Sequence, residues 1–222
     1  AMQLVISLLI KQNCLLRLYN QGFMNLTTIR IEHTDCYWEN LFTTEELSII
    51  DEYCRTFDVE IATAGNQQVV SDELYKIRKS HVAWIPRNNE SNWFFSKIEA
   101  AVNKINSKYF GFDIYSLEMI QYTLYDEQGS HYDWHWDIFV GNELDNLKDH
   151  SQRKVSAVLQ ISDPSEYEGG ILEIAPSGVL KEMTKERGYM NIFPSFVPHR
   201  VTPVTSGVRK TLVAWFMGPD WR

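Results

Sequence analysis

Residues 129–137 read GSHYDWHWD and hold two overlapping His-x-Asp triplets, His131-Tyr132-Asp133 and His135-Trp136-Asp137. A strand alternates its side chains with period two. On that pattern His131, Asp133, His135 and Asp137 share one face, and Tyr132, Trp134 and Trp136 take the other. Two neutral imidazoles and one carboxylate suit one face of an octahedral Fe(II), which leaves three positions open. One triplet supplies two ligands, so the third must come from elsewhere in the chain. Only His150 and His199 follow the motif, and His199 sits in FPSFVPH, a turn that leads into a strand. Arg209 comes ten residues later and opens the run VRKTLVAWF, with Thr211 on its face by parity. A buried guanidinium is a planar fork that suits a carboxylate.

A His-x-Asp pair alone is most simply a solvated surface strand. A downstream histidine with an arginine ten residues beyond it, in a β-rich half, favours metal chemistry instead. Zinc stays open, since two His and one carboxylate also make catalytic zinc sites. The helical HExxH spacing of many such sites is absent. Between the two triplets, the residues alone do not choose.

The elements that must position these groups divide the chain in two. Thr43 and Glu46 form a capping box ahead of apolar Leu47, Ile50, Tyr53, Cys54 and Phe57 at helical spacing. A second helix is expected over 91–108, with Phe94, Phe95, Ile98, Ala101, Val102 and Ile105 as one stripe and Gly111 near its end. His81–Ile85 reads as a strand between them. After Gly111 short β-rich runs alternate with turns: 117–125, 132–139, 155–161, 171–174, 189–193, 200–204 and 208–216. The expected class is mainly β with flanking α-helices, a sandwich, barrel or jelly roll. Glu143–Arg153 is the most polar stretch and reads as an exposed loop. Together with Gly65–Ile77 it is expected to border the mouth of the site.

Composition bounds the function. The 222 residues are 44% hydrophobic, enough for a sizeable core. A net charge of −8 shows no basic footprint for a nucleic-acid backbone. Cys14, Cys36 and Cys54 are scattered and odd in number, which argues against a disulfide framework and for a cytoplasmic location. Met2–Ile10 is apolar but too short to span a bilayer. Ala1 ahead of Met2 reads as a residue added in cloning, and Met24 as an alternative start. Residues 1–23 are expected to be an N-terminal extension. Residues 24–222 are expected to form one domain, with helical support over about 43–111 and a β core over about 112–218.

From Leu117 to Phe216 the chain resembles the 2-oxoglutarate/Fe(II)-dependent dioxygenases of the prolyl 4-hydroxylase type. It is especially similar to the PKHD-type hydroxylases. The tract Tyr125-x-x-x-Gly129-x-x-Tyr132-x-x-His135-x-Asp137, the run ISDPSEYEGG over 161–170 and the run HRVTPVTSGVR over 199–209 carry the likeness. Family members place a tyrosine three positions, and a glycine six, before the metal histidine. Tyr132 and Gly129 meet this for His135, whereas His131 would have Gln128 and Tyr125 there. The resemblance therefore implies His135, Asp137 and His199 as iron ligands in a double-stranded β-helix of the cupin-like, jelly-roll kind. It implies Arg209 as partner of the distal carboxylate of 2-oxoglutarate, with Tyr125, Tyr132 and Thr211 as further hydrogen-bonding groups. The tyrosine that the family often offers near Leu159-Gln160 is missing. The implied reaction couples oxidative decarboxylation of 2-oxoglutarate by O2 to hydroxylation of a substrate, with ascorbate as a reductant. A peptidyl prolyl or lysyl side chain is the implied substrate. A small molecule, a nucleobase, or a non-catalytic jelly-roll binding module are the alternatives.

Overall fold

The computed structural model describes residues 34–64, 71–140 and 151–221. Three helices flank the sheets: α1 (Thr44–Cys54), α2 (Asp72–Ile77) and α3 (Asn92–Ile105). The strands are β1 (Cys36–Trp38), β2 (Glu60–Ile61), β3 (Arg78–Lys79), β4 (His81–Ile85), β5 (Ser116–Leu117), β6 (Ile120–Tyr125), β7 (His131–His135) and β8 (Gln152–Gln160). After these come β9 (Tyr167–Gly169), β10 (Leu172–Ile174), β11 (Lys181–Glu182), β12 (Met190–Pro194), β13 (His199–Val201), β14 (Val204–Gly207) and β15 (Arg209–Gly218). An eight-stranded sheet has the order β1-β12-β8-β15-β6-β4-β2, with β5 on β15, and a five-stranded sheet has the order β11-β10-β13-β7-β3. All pairings are antiparallel. This is a double-stranded β-helix with α1 and α3 packed on the large sheet and α2 beside β3 and β7 of the small one.

Period-two alternation decides which residues meet the helices and which face the second sheet. On β15, Leu212, Ala214 and Phe216 join a core with Leu47, Ile50, Phe94, Phe95, Ile98 and Val102 of the helices. Ile120 and Tyr122 of β6 and Val155, Ala157 and Leu159 of β8 belong to the same core. Burying each such side chain contributes roughly 1.5–3 kcal/mol, so this apolar layer is what holds the large sheet in place. The opposite residues, among them Tyr125 and Val158, pack with Leu172, Ile174 and Val201 of the small sheet. Arg209, Thr211, Val213 and Trp215 alternate onto that inner side and line a cavity there.

The expected helix starts are present. The Glu46 amide donates to Thr43 Oγ1 at 3.2 Å and the Thr43 amide to Glu46 Oε2 at 2.8 Å. The helix expected over 91–108 is α-helical to Ile105 and then widens into a π-helical turn over Asn106–Phe110, ended by Gly111. The Asn106 side chain bridges the Phe112 backbone in both directions, at 2.8 and 3.0 Å, which satisfies the groups the turn leaves over.

Two expected loops need correction. The segment Gly65–Ile77 ends in helix α2, capped where the Leu74 amide donates to Ser71 Oγ at 3.2 Å. The polar loop stops short of Arg153, because Gln152 already opens β8 against β15. Residues 65–70 and 143–150 of the two loops, His150 among them, together with Cys14 and the extension 1–23, lie outside the described residues. Among the described residues no helix is long and apolar enough to cross a membrane.

Candidate metal centre

His135 ends β7 and lies directly across from His199, which opens β13. Their rings are 4.1 Å apart. Asp137 follows two residues after His135, beyond the strand, where its amide donates to Ser195 O at 2.9 Å. Its carboxylate then reaches both imidazoles. His135 Nε2 is 3.7 Å from Oδ1 and His199 Nε2 is 3.4 Å from Oδ2. Metal–ligand bonds of about 2.1 Å would set such atoms about 3 Å apart, so a small closure admits an ion.

Each imidazole is oriented by a carbonyl two residues earlier. Nδ1–H of His135 donates to Asp133 O at 2.8 Å, and Nδ1–H of His199 donates to Val197 O at 2.9 Å. A carbonyl only accepts, so Nδ1 carries the proton and Nε2 keeps its lone pair for a metal. Burial and the neighbouring His199 push His135 down to about 3, so it is neutral at physiological pH. Burial alone would raise Asp137. The two histidines, Arg153 and the Ser156 hydroxyl outweigh it and hold the carboxyl down to about 2. Ser156 Oγ donates to Asp137 Oδ2 at 2.6 Å and lies 2.9 Å from Ser195 Oγ.

The face predicted by strict alternation does not survive. Between the pairs His199–His135 and Val201–Tyr132, β13 spends two residues where β7 spends three. That is a β-bulge. It returns Tyr132 to the cavity side, where its ring stacks on His135 at 3.5 Å and 14°. It also takes His131 away: Nδ1 lies 2.8 Å from Gly129 O and Nε2 lies 3.1 Å from Lys76 O. Asp133 is exposed. Trp136 lines the cavity, whereas Trp134 is 40% exposed beneath the Arg200 guanidinium.

The cavity holds about 280 Å³ and is lined by all three ligand candidates together with Arg209, Tyr125, Tyr132 and Thr211. Arg209 is 1% exposed, and among the described residues its Nε and Nη2 have no hydrogen-bond partner. Across the ladder sits Tyr125, whose ring centre is 5.1 Å from the guanidinium. A buried guanidinium left with free donors is costly unless an anion completes it. The residues present therefore fit both a facially bound metal and an anionic ligand at the far end of the cavity.

Tyr167, Ser156 and Ser195 were missed by sequence reasoning. Tyr167 is 3% exposed, among the described residues its hydroxyl makes no hydrogen bond, and Arg209 is the charge that acts on it most. Burial holds its phenol above the usual range, so it keeps its proton as a donor. Gly170, at φ +58, makes this approach possible. A Cβ there would meet Arg209 Cδ at 2.8 Å and Val204 Cγ2 at 2.9 Å. The available signal was the run Tyr167-Glu168-Gly169-Gly170. A tyrosine just before two turn-forming glycines is brought back across the sheet.

Residues 120–217 match the 2OG-Fe(II) oxygenase superfamily. A PKHD-type hydroxylase of Azoarcus sp. (strain BH72) is 36% identical over 96 residues, which cover 43% of this chain and 40% of that protein. A second, of Methylobacillus flagellatus, is 41% identical over 61 residues, or 28% of this chain and 27% of that protein. The matched stretches thus span well under half of either relative. A Pseudomonas putida prolyl-4-hydroxylase has the same fold, with TM-score 0.63 and 20% identity over 86% of this chain and 95% of that one. So does a Trichoplax adhaerens prolyl hydroxylase solved with a hypoxia inducible factor peptide fragment, with TM-score 0.63 and 17% identity over 83% and 84%. The fold, the His135–Asp137–His199 cluster and the match over residues 120–217 make this part of the chain similar to a 2OG-Fe(II) oxygenase domain. Within it, the sequence similarity is to the PKHD-type hydroxylases.

Proposed function

We propose that this protein is a 2-oxoglutarate- and Fe(II)-dependent hydroxylase acting on a peptidyl prolyl or lysyl side chain. The observation that supports this most is one cavity holding a two-His, one-carboxylate cluster and a buried arginine with unused donors. His135, Asp137 and His199 hold the metal from one side. Bound iron with 2-oxoglutarate and O2 supplies the oxidising chemistry, releasing succinate and CO2. Arg209 binds the distal carboxylate through Nε and Nη2, and Tyr167 adds its hydroxyl in place of the tyrosine absent near Gln160. Tyr125 and Thr211 wall this end, and Tyr132 braces the His135 ring. Val158, Leu172, Val201 and Val213 keep it dry, which strengthens charge-assisted contacts. Ascorbate is the proposed reductant for iron left oxidised. We take residues 24–222 as one domain working in the cytoplasm.

Anaerobic addition of Fe(II) and 2-oxoglutarate is expected to give a weak visible charge-transfer band, and air to yield succinate. A zinc hydrolase would give neither result, and a non-catalytic jelly roll would give no succinate. A small molecule or nucleobase substrate would show as succinate formation above the uncoupled rate with those pools and not with peptides.

Tyr167→Phe isolates the missed residue. A hydrogen bond to a charged group contributes roughly 1.5–3 kcal/mol, so the variant is expected to bind 2-oxoglutarate about tenfold more weakly or worse. Iron retention should be unchanged. Titrating the charge-transfer band measures this, and wild-type affinity would remove Tyr167 from the clamp.

A further inference from the structure

Three arginines line the cavity: Arg78, Arg153 and Arg209. Arg153 is neutralised by Glu118, with Nε and Nη2 at 2.9 and 3.1 Å from its two carboxylate oxygens. Arg209 is taken by the distal carboxylate of 2-oxoglutarate in the function proposed above. Arg78 remains. It is 7% exposed and lies on β3, beside β7. Its Nε donates to Ser80 Oγ at 3.0 Å and its Nη1 to Thr63 O at 2.9 Å. Both acceptors are neutral. Among the described residues no carboxylate pairs with it.

Its position is tied to the metal centre. The Arg78 guanidinium lies 4.5 Å from the centre of the Tyr132 ring, and that ring stacks on His135 at 3.5 Å. Ser80 and Thr63 fix the fork, so little ordering is left for a ligand to impose. The charges of ferrous iron, Asp137, 2-oxoglutarate and Arg209 cancel. Arg78 is left as one uncompensated positive charge in a low-dielectric cavity.

We propose that Arg78 selects the substrate by binding a carboxylate next to the carbon that is hydroxylated. This rests on the hydroxylase function and narrows its substrate to an anionic class. The carboxylate belongs either to a free or C-terminal α-carboxyl group or to an acidic side chain beside the target residue. The lining tryptophans Trp84, Trp136 and Trp215 report its arrival through their fluorescence.

The test uses the whole protein loaded with Mn(II) and 2-oxoglutarate, which binds without turning over. The probes are free L-amino acids with their primary amides, and end-blocked hexapeptide pools carrying either Asp or Asn. Tryptophan fluorescence should show acids binding about tenfold to a hundredfold more tightly than matched amides, the span expected for a charge-assisted bond. Preference within the amino acids marks an α-carboxylate, and preference within the peptides marks an acidic side chain. Arg78→Gln should abolish the preference and Arg78→Lys should restore part of it. Amides binding as tightly as acids, no acid binding, or a preference that survives Arg78→Gln would each overturn the proposal. Should Arg78→Gln fail to fold, the acid–amide comparison on the wild type decides. Loss of 2-oxoglutarate binding in the wild type would instead overturn the hydroxylase function, and this inference with it.

Discussion

Alanine at His135, Asp137 or His199 is expected to abolish both iron retention and 2-oxoglutarate turnover, while His131→Ala retains iron. Each of the three presents one ligand atom, and those atoms lie within 4.8 Å of one another. Removing one leaves two donors, and the retained pair cannot hold the facial geometry. The loss should be largest for Asp137, since it removes the only carboxylate of the three and takes away the acceptor of the Ser156 hydroxyl. Ser156→Ala is expected to fall between, because supporting groups of this kind typically cost about 10–100-fold in metal affinity. His131 is turned to the carbonyls of Gly129 and Lys76 and has no route to the ion. Iron content after anaerobic desalting, with succinate formation alongside, measures the series. Metal lost from His131→Ala but kept in His135→Ala would reverse the choice of triplet.

Arg209→Ala is expected to leave iron bound and weaken 2-oxoglutarate by about tenfold to a hundredfold or more, from a charge-assisted bond of roughly 1.5–3 kcal/mol. The guanidinium is the group at that end of the cavity with a permanent charge and unused donors. The effect should exceed that of Tyr167→Phe, which removes a neutral donor. Arg200→Ala is the matched control. Arg200 follows His199, the proposed third ligand, but points to the outer side, where Nε donates to Glu173 at 2.5 Å across the β10–β13 ladder. Its loss removes a partly exposed ion pair, worth little. Titrating 2-oxoglutarate against the ferrous protein decides it. Equal losses at positions 200 and 209 would contradict the assignment.

Much of this molecule is local enough to read along the chain. The Thr43–Glu46 cap and the stripe from Phe94 to Ile105 follow from helical spacing alone. So does the sharing of one face by Arg209 and Thr211, which needs only the period of a strand and is observed on β15. The proposed iron ligands were chosen for a different reason: the spacing of Gly129, Tyr132 and His135 resembles a known family, and alternation by itself left two triplets equal.

Tertiary structure decided the rest, because each remaining feature belongs to a pair of segments and not to one. The bulge that separates His131 from His135 exists only in register with β13. The helix at Asp72–Ile77 is a short, weakly patterned segment, held where α2 packs beside β3 and β7. Tyr167 reaches Arg209 because two positive-φ glycines let the chain turn against the β15 stem, and no spacing rule joins residues so far apart. Arg78 carries no motif that singles it out in the sequence. That it is buried, held by neutral acceptors and, among the described residues, paired with no carboxylate is a property of its surroundings. Sequence by itself determined the candidate ligands and the local faces of helix α3 and strand β15, since periodicity acts over a few residues. Register, convergence and unpaired charge come from contacts between distant segments, and only the folded chain supplies those.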